Sequence, residues 1–383
     1  MPRFPDYSAT VAKIRASIFS SLAHRLAAYR GEVYPLHVGD TWMEPAVGSR
    51  MEDLSVQDFP GMHRYSQPQG LPDLLEALAE RLTLRTRIPT DRKNLLVATG
   101  ATGALGAVAG AILEPGDEVL ILAPHWPLIA GIVRSFHGQP VAVPLVGEAD
   151  SPESAVEIVD AFLTERTVAL YLSTPNNPTG AVLPPSWIVA LTEWCERKDL
   201  WILADEVYED YVYNGKHTYS RTLASERTFS VHSFSKAFGM AGNRCGYVAG
   251  PAEAIRRLRK VSVHTFYSTP TAAQLAALRA LDGRGDTWVA DAREKYMAAG
   301  FAAADRLGVA RPQGSQFLFL DVADHLDDRG LMGFLEDCVD RGLFLAPGPS
   351  FGPYPTHVRL CYTSAPPRIV ERGVAVVADL LGL

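Results

Sequence analysis

A single lysine, Lys236, lies in a stretch of small and hydroxyl-bearing residues that suits covalent chemistry. Ser233 and Ser235 precede it, and Arg244 follows it in the same stretch. Lysine forms imines with aldehydes, and burial or a neighbouring cation lowers the pKa of the amine enough to make it nucleophilic. Arginine and serine side chains are donors that bind phosphate. The stretch therefore offers an amine for an aldehyde together with donors for a phosphate.

Both of those groups occur in pyridoxal 5′-phosphate. Residues 230–247 resemble the active-site segment of the class I and II aminotransferases of fold type I, in the serine–x–serine–lysine core and in the spacing to the arginine. The resemblance implies that Lys236 binds this cofactor covalently. It also implies that Ser233, Ser235 and Arg244 bind the cofactor phosphate.

Two predicted strands upstream of the lysine end in polar residues. Strand 168–172 leads into Asn-Asn-Pro-Thr-Gly, and strand 200–204 leads into Asp-Glu-Val-Tyr. Polar residues at the carboxyl ends of buried strands lie where α/β sheets bind their ligands. By the resemblance, Asn177 and Tyr208 hydrogen-bond the phenolate oxygen of the cofactor. Asp205 pairs with the pyridine nitrogen, which makes the ring an electron sink. The expected catalytic residues are thus Lys236, Asp205 and Tyr208.

Two further elements match cofactor contacts of the family. The uncharged run 95–113 is rich in Gly, Ala and Thr, and it is interpreted as a strand, a loop and a packed helix. Such a helix N-terminus binds anions. The family's phosphate-binding triplet corresponds to Gly100, Ala101 and Thr102. Trp126, which follows the buried strand 118–122, matches the aromatic residue that stacks on the pyridine ring.

The resemblance also assigns residues to the substrate and to a second subunit. Arg359 matches the arginine that binds the substrate carboxylate with its two-pronged guanidinium, and Asn177 borders the same substrate. Gly39 matches a glycine near that carboxylate, although an ordinary turn glycine is an equally good interpretation. Tyr65 matches a tyrosine that reaches the phosphate in the neighbouring subunit. This implies a homodimer with shared active sites.

The composition favours an ordinary cytoplasmic enzyme. The chain has 383 residues, 47% of them hydrophobic, and a formal net charge of −7, which does not suggest affinity for nucleic acid or membranes. Four cysteines without C-x-x-C or metal-ligand spacing predict buried free thiols and no metal site. The N-terminus lacks the apolar core of a signal peptide.

The expected fold class is α/β. The resemblance implies a large domain with a mostly parallel sheet of the seven-stranded type and a small α/β domain formed by both termini. The predicted boundaries are an N-terminal arm and part of the small domain in 1–45, the cofactor-binding domain in 46–265, and a linker helix with the small domain in 266–383. Ile14, Ile18, Leu22 and Leu26 recur at four-residue spacing, which predicts an N-terminal amphipathic helix.

The expected activity is the transfer of an amino group from an L-amino acid to a 2-oxo acid by a ping-pong mechanism. A neutral or aromatic donor is favoured because residues 261–278 contain no lysine or arginine. An aspartate-type aminotransferase stays open, with Arg50 or Arg64 as a distal cation. A β-eliminating carbon–sulfur lyase is a further alternative, although Asn176, where such lyases more often have histidine, favours transamination.

The resemblance makes one prediction about the backbone. The bond between Asn177 and Pro178 is expected to be cis, because a tight turn there would direct the asparagine toward the ring. Cis bonds make up roughly 5–6% of X–Pro bonds in folded proteins. The prediction therefore depends on the family and not on the bare sequence.

Overall fold

The computed structural model of the chain describes residues 7–12, 14, 22, 24, 25 and 28–383. A first short helix, α1, spans Ala9–Ala12. The predicted amphipathic helix that begins near Ile14 lies largely outside the described residues. The strands and the other helices given below all lie within residues 28–383.

Seven strands form one mostly parallel sheet, which confirms the predicted fold class. They are β1 Leu95–Ala98, β2 Glu118–Ala123, β3 Gln139–Pro144, β4 Thr167–Ser173, β5 Trp201–Asp205, β6 Thr228–Ser233 and β7 Gly246–Ala249. Their spatial order is β1-β7-β6-β5-β4-β2-β3. β7 is antiparallel to both β1 and β6, and the other pairs are parallel. Six strands consequently end at the same edge.

Side chains from the sheet pack into a hydrophobic core on each of its faces. Leu170 of β4 joins one core and the next residue, Tyr171, joins the other, as the twofold alternation of a strand requires. Apolar residues are needed at both positions because parallel sheets are covered on both sides. The helices that follow or flank these strands are α2 Pro72–Thr86, α3 Gly100–Ile112, α4 Pro127–Ser135, α5 Pro152–Asp160, α6 Pro185–Arg197, α7 Phe234–Ala237 and α8 Ala252–Thr265.

A second, antiparallel sheet has the order β8-β10-β9, with β8 Phe317–Asp321, β9 Ala346–Pro347 and β10 His357–Cys361. The accompanying helices are α9 Thr271–Ala280, α10 Arg284–Leu307, α11 Gly330–Asp340 and α12 Pro367–Leu380. Tyr34 and Leu36 share a core with Leu320, Val358 and Val374. N-terminal and C-terminal residues thus pack together. The domain boundaries themselves stay a prediction.

The uncharged run 95–113 folds as β1, a turn and α3, in agreement with its interpretation from the sequence. No helix in the part of the chain that the structure describes is long and apolar enough to cross a membrane. The cysteines are free and buried, as predicted: Cys195, Cys245, Cys338 and Cys361.

β7 passes very close to the turn that follows β1. A Cβ atom at Gly246 would lie 2.7 Å from the carbonyl oxygen of His232, 2.8 Å from the carbonyl carbon of Gly100 and 2.9 Å from the amide nitrogen of Ala101. All three neighbours are backbone atoms and cannot rotate away. Glycine therefore lets β6, β7 and the start of α3 approach one another.

We expect Gly246→Ala to lower the free energy of unfolding by about 1–3 kcal/mol, since extra volume in a close-packed interior forces backbone shifts. Gly242→Ala is the matched control, because a Cβ there would meet no atom within 4 Å. The control should change stability by less than about 0.5 kcal/mol. Urea unfolding of both variants measures the difference, and equal stabilities would contradict the steric argument.

Candidate active site

A cavity of about 140 Å³ lies at the carboxyl edge of the large sheet. Ten of the residues predicted to bind the cofactor line it: Ala101, Thr102, Trp126, Asn177, Asp205, Tyr208, Ser233, Ser235, Lys236 and Arg244. Ser173, Val207 and Ala241 complete the lining. Residues that are far apart in the sequence therefore meet at one place.

The register of the parallel strands explains this convergence. Ser173, the last residue of β4, pairs with Asp205, the last residue of β5. Asp205 in turn pairs with Val231 of β6, two residues before Ser233. Helix α7 begins directly after β6 and carries Lys236. Carboxyl ends of neighbouring parallel strands thus place an acid, hydroxyls and an amine side by side.

Lys236 is partly buried and contacts the N-terminal segment. Its Nζ atom donates a hydrogen bond to the carbonyl oxygen of Gly39. Burial lowers the pKa of the Lys236 amine, and the nearby Asp40 carboxylate opposes that shift. A lower pKa increases the fraction of neutral, nucleophilic amine.

Asp205 is a buried carboxylate, with 4% of its surface exposed. Burial raises its pKa to about 6. Its Oδ2 atom accepts a hydrogen bond from the Tyr171 hydroxyl at 2.6 Å, and Oδ1 accepts a longer one from the Val207 amide at 3.4 Å. Both bonds favour the ionised form and offset part of the burial cost.

The N-terminus of α3 and a guanidinium lie at the same end of the cavity. Gly100 has a φ of +73°, and a Cβ atom there would lie 2.6 Å from Nη2 of Arg244. The guanidinium is oriented by Nη1, which donates to the carbonyl of Ala241 at 2.9 Å, and by Nη2, which donates to that of Thr99 at 3.4 Å. A helix N-terminus beside an arginine forms a binding site for an anion such as phosphate.

Serine hydroxyls stand beside this anion site. The Oγ atom of Ser233 accepts a hydrogen bond from the amide of Ser235 at 3.0 Å and so caps helix α7. Ser235 itself lines the cavity. Both serines thus line the same cavity as Arg244 and the start of α3.

Arg359 lies next to the cavity, sandwiched between the rings of Phe317 and Phe351 at 4.3 and 4.8 Å. Its Nη1 atom donates to Oδ1 of Asn177 at 2.8 Å, and Nη2 donates to the carbonyl of His37 at 2.6 Å. Its Nε atom is buried and has no hydrogen-bond partner among the described residues. The guanidinium is thus fixed in place with a donor left for a carboxylate.

Gly39 is required sterically at this corner of the site. A Cβ atom there would lie 2.8 Å from the ring of Phe317, the same ring that packs on Arg359. The glycine therefore lets the backbone reach both the lysine amine and the aromatic clamp.

Six candidate site residues singled out from the sequence lie outside the cavity lining. Gly39, Gly100 and Arg359 contact residues of the lining, whereas Tyr65, Arg50 and Arg64 have other surroundings. Tyr65 is 86% exposed, and its ring meets that of Tyr267 edge-on at 5.1 Å. Arg50 is turned toward its own loop, where its Nε atom donates to the carbonyl of Pro45 at 2.7 Å. Arg64 is exposed. Neither arginine supplies a cation to this cavity from the same chain.

The predicted cis bond between Asn177 and Pro178 is wrong. In the described chain the cis bonds are Ala123–Pro124 and Thr174–Pro175, in the loops that follow β2 and β4. Asn177 is instead oriented by its side chain, whose oxygen accepts the hydrogen bond from Arg359. The side-chain amide of Asn177 is therefore oriented without a cis bond between Asn177 and Pro178.

Sequence reasoning missed the polar residues behind the cavity. Nδ1 of His232 lies 2.9 Å from the carboxylate of Glu209, which also pairs with Arg85 at 3.0 Å. Burial alone would lower the pKa of His232, but the carboxylates of Glu209 and Glu206 outweigh it and raise the pKa. The sequence offered one signal of this pair: His232 is a histidine inside an apolar strand, next to Ser233. Tyr171 was missed because an aromatic residue inside the apolar strand β4 is typical of a hydrophobic core.

Comparison with known proteins identifies the family. The family model described as aminotransferase class I and II matches residues 34–377. The chain belongs to this family. The probable aspartate/prephenate aminotransferase of Thermus aquaticus is 35% identical over 311 residues, which are 79% of this chain and 80% of that protein. The arginine–pyruvate transaminase of Pseudomonas aeruginosa is 30% identical over 99% of both chains.

A solved structure of the same family has the same fold. A single mutant of the Thermus thermophilus aspartate aminotransferase superposes with a TM-score of 0.90 at 28% identity, and it covers 98% of this chain and 100% of that one. The protein is therefore an aminotransferase with the fold that the sequence predicted.

Because burial raises the pKa of Asp205 from 3.8 to about 6, its ionised form destabilises the fold of the cofactor-free protein. The contribution of Asp205 to the free energy of unfolding is fully present below about pH 4, where its carboxyl is protonated, and is lost as the pH rises through about 6. We expect cofactor-free Asp205→Asn to match the parent at pH 4 and to exceed it by about 3 kcal/mol above pH 7.

Urea unfolding from pH 4 to about pH 8 measures this difference. Asp328→Asn is the matched control, since Asp328 is exposed and its removal should give no comparable rise. A stability difference for Asp205→Asn that does not vary with pH would show that the carboxylate is not destabilised by burial.

Proposed function

We propose that this aminotransferase works with pyridoxal 5′-phosphate bound in the cavity and attached through Lys236. The chemistry of the lining supports the assignment: a partly buried amine for the aldehyde, a buried carboxylate for the ring nitrogen, a flat indole for the ring face, and donors for the phosphate. The observation that carries the proposal is that Asp205, the last residue of β5, and Lys236, in the helix that directly follows the neighbouring strand β6, line one cavity.

In this proposal each residue acts on a stated part of the cofactor. Asp205 keeps the pyridine nitrogen protonated, Trp126 stacks on the ring, and Asn177 and Tyr208 donate to the ring oxygen. The phosphate is bound by backbone amides and side chains of Gly100, Ala101, Thr102, Ser233, Ser235 and Arg244. When bound, the cofactor supplies an electron-withdrawing ring that stabilises negative charge at the α-carbon of the substrate.

The chain's own groups then bind and deprotonate the substrate. Arg359 docks the α-carboxylate through its guanidinium beside Asn177 and the segment that contains Gly39. Once the amino group of the substrate has displaced Nζ of Lys236 from the cofactor, the free Nζ atom would take the proton from the α-carbon, since an amine of lowered pKa is a competent base. An amino acid and then a 2-oxo acid use the same site in turn, which gives ping-pong kinetics.

We also propose a homodimer whose subunits share their active sites. The exposure of Tyr65 next to Tyr267 supports it, because this aromatic pair lies on the surface where a second copy would cover it. The buried free thiols support a cytoplasmic enzyme.

A neutral or aromatic L-amino acid is the proposed donor. Within the described chain the cavity lining contains two cations, Lys236 and Arg244, and both have roles toward the cofactor. A distal carboxylate buried without a cation would cost several kcal/mol. Trp126 offers flat apolar surface instead.

An aspartate-type aminotransferase is the second candidate. It is favoured by the similarity to enzymes named for aspartate or prephenate and by the structural likeness to an aspartate aminotransferase. This candidate requires a cation for the distal carboxylate that does not come from the lining described above.

Borohydride treatment of the purified protein tests the cofactor assignment. We expect visible absorption before treatment and the cofactor fixed afterwards on the peptide that contains Lys236. Lys236→Ala should abolish the fixation, whereas the exposed Lys260 should carry no label in either protein. Fixation at another lysine would overturn the assignment and the proton-transfer role with it.

The ratio of kcat/KM values for phenylalanine, methionine, alanine and aspartate tests the donor proposal. We expect each neutral donor to exceed aspartate, and Arg50→Ala and Arg64→Ala to leave the ratios unchanged. A hundredfold preference for aspartate, about 2.7 kcal/mol of transition-state discrimination, would establish the second candidate. The arginine whose loss removes that preference would then be the distal cation.

A further inference from the structure

Tyr171 contributes the shortest hydrogen bond to the carboxylate of Asp205. It lies in the middle of β4, fully buried, and its hydroxyl is 2.6 Å from Oδ2. The rest of its ring packs in the hydrophobic core with Leu203 and Phe229. Tyr171 is therefore an apolar core residue with one polar atom, and that atom is directed at the candidate ring acid.

The sheet register explains how the two side chains meet. Tyr171 pairs with Leu203, and Ser173 pairs with Asp205. Asp205 is two residues beyond Leu203, so it lies on the same face of the sheet as Tyr171 and on the diagonal. The long side chain of Tyr171 spans this diagonal, and its hydroxyl reaches Oδ2 of Asp205 at 2.6 Å. Phenylalanine would fill the same space but could not donate.

We propose that Tyr171 is a positioning residue, which holds Asp205 by one oxygen so that the other stays available to a cationic ring nitrogen in the cavity. Oδ2 is occupied by the Tyr171 hydroxyl, whereas Oδ1 receives only the long bond from the Val207 amide at 3.4 Å. The inference rests on the proposed function, because it gives Asp205 a partner in the bound cofactor.

The direction of the hydrogen bond decides its effect. Burial beside Asp205 raises the pKa of the Tyr171 phenol well above its usual value, so the hydroxyl keeps its proton and donates. Donation stabilises the carboxylate form of Asp205 against burial and against the charge of Glu206, while His232 acts in the same direction as Tyr171. Without the hydroxyl, a proton shared between Asp205 and a ring nitrogen shifts toward the carboxylate.

The test compares the holoenzyme with its Tyr171→Phe variant, each loaded with pyridoxal 5′-phosphate labelled with ¹⁵N in the ring. In the variant we expect the ring ¹⁵N resonance to move toward the position of an unprotonated pyridine. We also expect kcat to fall about tenfold while KM for the amino donor changes less than twofold, because ring protonation matters to the chemical step and not to docking at Arg359.

Tyr362→Phe is the matched control. Tyr362 is also fully buried, and its hydroxyl lies near the Tyr213 hydroxyl and the carbonyl oxygens of Gly314 and Ser315. Removing that hydroxyl should leave the ring ¹⁵N resonance and kcat unchanged. A double-mutant cycle with Asp205→Asn then separates positioning from packing, since Tyr171→Phe should change the half-reaction rate less than twofold in that background.

The outcomes are distinct. A wild-type protein that binds no cofactor would overturn the proposed function and this inference together. A wild-type protein with a protonated ring nitrogen, and a Tyr171→Phe variant with the same ¹⁵N resonance and kcat, would overturn the inference alone. An equal loss of rate in the parent and Asp205→Asn backgrounds would assign Tyr171 to packing and would also overturn it.

Discussion

A carboxylate that is buried at the end of β5 is the constraint on which the rest of the site depends. Asp205 is 4% exposed, and removal from water raises its pKa to about 6. A group in that state is stabilised by donors or by a cation, and without them it takes up a proton. Tyr171 supplies the strongest donor that the described chain directs at it, and the cavity leaves space for a cationic ring. The cofactor-free fold therefore carries a cost, which a cationic ring bound beside Asp205 would relieve.

The sheet order brings the remaining parts to the same edge. β7 runs against both β1 and β6, so the turn after β1 reaches the edge where β4, β5 and β6 end. The contact of Gly246 with that turn makes the approach close enough for the N-terminus of α3 and Arg244 to share one anion site. The N-terminal segment reaches the site at Gly39, and the small sheet reaches it at Arg359. The small sheet and the N-terminal segment consequently border a cavity that is lined from the large sheet.

The fold and most of the lining were predictable because their signals are local. Apolar runs that end in Asp205, or in the loop that contains Asn177, mark buried strands, and polar residues at such ends mark a ligand site. Tyr171 was not predictable, since its role depends on the register between β4 and β5 and on a diagonal contact across them. The pairing of His232 with Glu209 depends on how the loop after β5 folds back against β6, which no local pattern encodes. The orientation of the Asn177 amide was attributed, from the sequence, to a cis bond in the backbone. The structure shows instead that Arg359 of the small sheet orients it through a hydrogen bond.

The central claim is that Asp205 and Lys236 act together on one bound cofactor in a reversible transfer of an amino group. The most direct measurement mixes the purified holoenzyme with a neutral L-amino acid, without a 2-oxo acid, and follows the visible spectrum in a stopped-flow instrument. The account predicts that the cofactor band disappears in a single turnover and returns when a 2-oxo acid is added. A band that persists, or one that recovers without a 2-oxo acid while ammonia is released, would contradict it.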